Sequence, residues 1–177
     1  MSDPDLTVAR LLLAEYERLK DEQKTRIGFR DNLIYVTLAS MAAVITASLA
    51  AKGHANLLLL LPPVSTVLGW TYLVNDEKVS AIGRYIRERV APELDPTGKA
   101  FGWETAHRSD SRRRPRKVIQ MIVDLGTFCL PAVAAIVVYW VNGPYDWPFM
   151  VVSFVELAVV LGLAIEVVRY ADVRLRT

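Results

Sequence analysis

From Leu33 to Ala51 the chain runs 19 residues without a charge, and from Ala55 to Val74 it runs 20 more. Two further apolar stretches, Val118 to Val141 and Pro148 to Val168, contain no Lys or Arg and only the acids Asp124, Glu156 and Glu166. About 20 residues at ~1.5 Å rise cross a hydrocarbon core of ~30 Å, so each stretch is long enough to span a bilayer. A soluble helix of that length would show a polar stripe, and the first two stretches show none. The pattern predicts an all-α, polytopic membrane protein. Four transmembrane helices are expected in two antiparallel hairpins, with amphipathic cytoplasmic helices beside them. The apolar share of 53% is only slightly above that of a globular chain, so the signal lies in its distribution.

The expected segments follow from those blocks. Residues 1–32 form an N-terminal cytoplasmic amphipathic helix. Residues 33–74 form the first hairpin, with spans Leu33–Ala51 and Ala55–Val74. Residues 75–117 form a cytoplasmic loop with a helix and a basic cluster. Residues 118–168 form the second hairpin, with spans Val118–Val141 and Trp147–Val168. Residues 169–177 are a cytoplasmic tail.

The opening segment is too charged for a secretory leader. Asp3 is a suitable cap, Pro4 suits a first helical turn, and Leu12, Tyr16 and Leu19 recur at helical spacing. Such a helix lies on the membrane or on its own bundle, or serves as a coiled-coil or partner-binding face. Its apolar seam is short for a coiled coil. Gly28 is where a soft connection to the first span is expected. Within that span Ala39, Ala43, Ala47 and Ala51 make a strip of small residues suited to close helix packing. Lys52-Gly53-His54 then forces a tight turn. Pro62 and Pro63 interrupt the second span, and a break with freed carbonyls near Leu58 and Leu59 is expected there. Trp70 and Tyr72 are expected near the far interface.

In the central loop, Val79, Ile82, Ile86 and Val90 share one helical face, either continuing the second span or lying along the headgroups. Pro92 and Pro96 are expected to stop that helix, and Phe101 and Trp103 to dock at the interface. Trp140, Tyr145 and Trp147 gather at the second short turn, as an aromatic belt would.

Charge sets the orientation. Of 21 Lys and Arg, only Lys52 falls outside the N-terminal segment, the central loop and the tail. With four spans those three segments share a side, and the positive-inside rule makes it cytoplasmic. Five of the basic residues, Arg112, Arg113, Arg114, Arg116 and Lys117, abut the third span. Such a cluster fixes the loop inside and attracts anionic lipid headgroups at about 1 kcal/mol per residue.

Acids inside a span are expensive and mark a protein interior, an aqueous cavity or an oligomer contact. Glu166 lies within a turn of Arg169 and is expected to pair there. Asp124 lies ~9 Å in from the cytoplasmic side and is expected to turn outward or pair with Arg116 or Lys117. Glu156 lies ~12 Å in from the other side, and Pro62 and Thr46 are at about that depth by the same rise. An acid, a broken backbone and a hydroxyl are thus expected in one layer. There Glu156 either anchors helix packing, borders an ion or proton pathway, or meets a second copy.

Enzyme signatures are absent from the sequence. Cys129 is alone, His54 and His107 stand apart, and there is no phosphate loop, nucleophile elbow or metal-ligand spacing. No catalytic, cofactor-binding or metal residue is expected, and a nucleic-acid role is disfavoured because no groove-reading element accompanies the basic cluster.

Two stretches carry a resemblance. Glu15-Tyr16-Glu17-Arg18-Leu19 and Arg26-Ile27-Gly28-Phe29-Arg30-Asp31-Asn32-Leu33 lead into the first span. Leu68-Gly69-Trp70 and Ile82-Gly83-Arg84-Tyr85-Ile86-Arg87 leave the second. Together, over about the first half of the chain, they resemble small four-pass integral membrane proteins of bacteria, actinobacterial in type. The resemblance implies a bacterial inner membrane and no particular activity. The function expected is a non-enzymatic membrane scaffold or interaction protein acting through its cytoplasmic face, with a homo-oligomer or a cytoplasmic protein as partner. The alternative is a small oligomeric ion channel or pore-forming effector with Glu156 near the pathway.

Overall fold

The computed structural model describes residues 3–51, 54–98, 100–101 and 113–171. Every regular element among them is helical. Helix α1 runs Asp3–Ala50. A tight 3₁₀ segment, Ala55–Leu60, leads into α2, Leu61–Tyr85. A wide π-turn, Ile86–Val90, joins it to α3, Ala91–Leu94. Helix α4 is Arg113–Asp124, followed by a second π-turn, Leu125–Cys129, and α5, Leu130–Asn142. Helix α6 is Trp147–Tyr170. Four helical runs, Leu6–Ala50, Ala55–Leu94, Pro115–Asn142 and Trp147–Tyr170, are long and apolar enough to cross a membrane. This is the architecture of a multi-pass membrane protein.

Prolines explain every departure from α geometry inside those runs. Leu61, Ala91 and Leu130 each precede a proline. The Leu61 amide bonds the carbonyl three residues back, at Leu58. The Ala91 and Leu130 amides reach five back, to Ile86 and Leu125. A proline ring crowds the carbonyl four residues earlier and offers it no N–H, so the preceding turn tightens or widens. Pro62 and Pro63 therefore do not break a helix midway. They sit in the first turn of α2, where missing amides cost least. Pro92 likewise does not stop its helix, which passes through it to Leu94, with Asp95 outside. Gly28 does not soften α1, which passes through it unbroken.

The chain divides into two units: Met1–Arg30 with Val74–Arg113, and Asp31–Leu73 with Arg114–Thr177. In the second, Leu33, Tyr72, Phe128, Val160, Leu163 and Val167 belong to one buried apolar cluster. Leu59, Ile136 and Tyr139 form another, against Trp140, Phe149, Met150 and Leu157. The packing face of α1 here is Leu33, Thr37 and Met41, all buried, rather than the expected alanine strip: Ala39, Ala43 and Ala47 are exposed. The larger side chains one helical face away occupy the interior because they bury more apolar area. Tyr72 is not at an exposed interface either. It is buried with its ring 5.2 Å from that of Phe128, while Trp70 is exposed.

The turn after α5 is held by aromatic hydroxyls and an indole. Tyr139 Oη donates to the Pro144 carbonyl at 2.8 Å and Tyr145 Oη to the Trp140 carbonyl at 2.8 Å. Trp140 Nε1 donates to Ser153 Oγ at 2.9 Å, tying α5 to α6. Gly143 permits the fold-back, because a β-carbon there would lie 2.5 Å from the Tyr139 ring.

Candidate functional site

Two places in the chain gather polar side chains. The first lies in the unit formed by residues 1–30 and 74–113. There α1 and the second half of α2 run antiparallel, joined rung by rung. Arg30 Nη1 meets Asp76 Oδ1 at 2.7 Å. Asn75 Nδ2 donates to the Arg26 carbonyl at 2.6 Å, and Arg26 Nη1 approaches Asn75 Oδ1 at 3.4 Å. Gln23 Nε2 donates to the Val79 carbonyl at 3.2 Å, and Tyr85 Oη to Glu15 Oε1 at 2.9 Å. Tyr16 closes the end against Phe101, ring to ring at 5.0 Å. Ile86 and Val90 are buried, on the face expected for them. The amphipathic face of α1 thus packs on its own chain. Phe101 packs on Tyr16, and Trp103 lies outside the described residues. Beyond this ladder Leu6, Val8, Leu11 and Leu13 are exposed.

The second place is in the unit formed by residues 31–73 and 114–177. Glu156 lies on the inward stripe of α6, between buried Ser153 and Val160. Its Oε2 is shut off from solvent and has no hydrogen-bond partner. Ser65 Oγ on α2 is the same: fully buried and unpartnered. Thr37, Ser40, Thr66 and Thr71 each turn a hydroxyl back to the carbonyl four residues earlier, and Ser65 does not.

Close packing fixes the register between these two helices. A β-carbon at Gly69 would lie 2.8 Å from Leu163 Cδ2, so α2 and α6 touch at that level. Seven residues back along each helix, ~10 Å by helical rise, are Pro62 and Glu156. Ser65 is four residues back, ~6 Å. Leu59 and Leu157 share a cluster at the same end. The acid and Pro62 therefore lie at similar heights relative to that contact. The expected hydroxyl does not join them: Thr46 is exposed on α1. Ser65 is the hydroxyl that sequence reasoning missed. Its signal was the spacing Pro62, Ser65, Gly69, Tyr72, which puts a polar residue on the face that the glycine opens for close approach.

The other acids are accounted for. Glu166 Oε1 pairs with Arg169 Nη1 at 2.7 Å, as its spacing predicts. Asp124 does not turn outward; it is buried at the junction of α4 with the π-turn, and it is not without a partner. Of the basic cluster, Arg116 is exposed and Lys117 half-buried, Arg113 and Arg114 open α4, and Arg112 lies outside the described residues. Among the described residues no three His, Cys, Asp or Glu side chains gather as metal ligands.

No family model, curated protein or solved structure matches the chain. The site geometry is therefore the ground for its function.

Proposed function

We propose that this is a non-enzymatic membrane scaffold or interaction protein that works through a cytoplasmic face built from its N-terminal segment and central loop. The observation that carries this is the Arg30–Asp76 pair with the rungs beside it. The charge distribution supports a cytoplasmic place for both helices of that ladder, and the ladder joins them into one folded unit. The short connections Ala51–His54 and Gly143–Asp146 support two antiparallel hairpins, and the basic cluster supports cytoplasmic termini and contact with anionic headgroups. The resemblance supports a bacterial inner membrane. Exposed Leu6 and Leu13, seven residues apart on one side of α1, offer the apolar part of the interaction face.

The test is site-specific photocrosslinking in the native membrane from Leu6, with exposed Val155 of α6 as control. A discrete protein adduct from Leu6 that disappears in Leu13→Glu supports the reading. Lipid adducts alone from both positions overturn it.

A second reading, a small oligomeric channel or pore-forming effector, is favoured by one observation, the unpartnered Glu156 Oε2. Ion flux in proteoliposomes, lost in Glu156→Gln, would support it; no flux above protein-free vesicles would sink it.

A further inference from the structure

We propose that Glu156 is a carboxylic acid that keeps its proton at neutral pH, and that it is a site of covalent modification by lipid-soluble carbodiimides. Three observations carry this. Its Oε2 is shut off from solvent and has no hydrogen-bond partner. It lies nine residues in from Trp147 and 14 from Tyr170, the ends of the fourth candidate span, so ~14 Å and ~21 Å of helix separate it from either end. Its side chain is only half-buried, on the border between two stripes of α6. Ser153 and Val160 are buried on one flank, and Val152, Val155 and Val159 are exposed on the other.

No cation stands beside the acid to pair with an ionised form. The stretches 33–51, 55–74, 118–141 and 148–168 hold no Lys, Arg or His. The next base along α6 is Arg169, 13 residues on and ~20 Å away by helical rise, and it is paired with Glu166. His54 is exposed and eight residues short of Pro62, ~12 Å back along its run. Among the described groups on the elements packed against α6, Tyr139 donates its hydroxyl to the Pro144 carbonyl. Tyr72 and Cys129 belong to the cluster of Phe128 and Leu163, and Asp31, Asp124 and Asp146 are acids themselves. A carboxylate with neither water, donor nor countercharge is far costlier than the neutral acid, so the proton stays.

The neutral acid is the form that a carbodiimide consumes. The proton passes to one carbodiimide nitrogen, a carboxyl oxygen bonds the central carbon, and one C=N π bond breaks, giving an O-acylisourea. The acyl group then migrates from that oxygen to nitrogen: the acyl C–O bond breaks and a C–N bond forms. The N-acylurea keeps every atom of the reagent, and nothing is oxidised or reduced. The open flank at Val152, Val155 and Val159 is the route for a reagent dissolved in lipid, and the lack of water favours migration over hydrolysis.

The inference rests on neither functional reading. An acid holds its proton whether or not a partner docks on the N-terminal helix, and an absence of ion flux leaves this chemistry untouched.

The experiment treats the purified full chain in nanodiscs at neutral pH with dicyclohexylcarbodiimide or with a cationic, water-soluble carbodiimide, and locates the adduct by peptide mass spectrometry. The expected result is one adduct per chain, on Glu156, from the lipid-soluble reagent alone, and its loss in Glu156→Gln. Infrared difference spectra of wild type against Glu156→Gln should show the C=O stretch of a protonated carboxyl, which an ionised carboxylate lacks. Absence of that band overturns the proposal. So does a band without an adduct, which closes the route from lipid, and so does equal labelling by the water-soluble reagent, which puts the acid in water. An adduct on Asp124 or Glu166 in place of Glu156 overturns it too. If Glu156→Gln fails to fold, the wild-type adduct decides alone, by whether Glu156 carries it.

Discussion

Gly69 faces Leu163 so closely that a β-carbon on it would stand 2.8 Å from Leu163 Cδ2 and 3.0 Å from Phe128 Cβ. Gly69→Ala should therefore destabilise the chain by about 1–3 kcal/mol, the usual cost of overpacking a buried contact. Gly28 is the control. It lies mid-helix with nothing within 4 Å of a built β-carbon, so Gly28→Ala should stabilise by about 1 kcal/mol through helix propensity alone. Denaturant or thermal unfolding in a fixed detergent gives both values, and equal effects of the same sign would contradict this geometry.

The Arg30–Asp76 pair is partly shielded from solvent at both ends. Arg30→Ala and Asp76→Ala should each cost about 1 kcal/mol, above an exposed pair but discounted for the remaining screening. A double-mutant cycle should return a coupling energy that shrinks in high salt. Additive single effects would mean that the two side chains do not interact.

Orientation is open to direct test. Reporter enzymes fused after Gly98 and after Pro144 should report opposite sides of the membrane, with the Gly98 fusion cytoplasmic. Neutralising Arg113, Arg114, Arg116 and Lys117 together should send part of the population into the inverted topology. The same side for both fusions would rule out the four-span arrangement.

The basic cluster also predicts a lipid preference. Changing Arg112, Arg113, Arg114, Arg116 and Lys117 to Gln should lower co-purified anionic lipid, at about 1 kcal/mol of lost attraction per residue near the surface. Lipid analysis by mass spectrometry at low and high salt would show the difference collapsing as salt rises. Unchanged anionic lipid would leave the cluster with topology alone.

The four long helices were legible in the sequence because lipid forbids charge over a known length, and charge is visible without knowing who packs on whom. The pairing of Glu166 with Arg169 was legible for a similar reason: helical spacing alone brings them together. Which face of a span turns inward was not legible. An all-apolar helix has no polar stripe to betray its outside, so the alanine strip, exposed in the single chain at Ala39 and Ala43, could not be told from the face at Leu33, Thr37 and Met41 that is buried. The polar ladder of the first unit was hidden too. Arg26, Arg30, Asn75 and Asp76 look like ordinary solvated residues until two distant segments are laid side by side. Thr46 was paired with Glu156 by depth alone, since rise along a helix gives height but not azimuth. Ser65 lies on the stripe of α2 that Gly69 opens, which only the packed helices reveal.

Each π-turn accommodates one residue more than the α-turn it replaces. Along Leu125–Cys129 the chain therefore carries a spare residue, and the count between Asp124 and Ile136 is not the count an ordinary helix would need. Elsewhere in a span, deleting one residue would swing everything downstream by about 100° and turn the buried face to lipid. Here a deletion at Gly126 together with Pro131→Ala, which restores the missing amide, would close the wide turn into a regular one and leave both flanking faces in phase. In this segment of the third span a proline and an extra residue form a pair, and the helix keeps its faces in phase only if both are kept or both are lost.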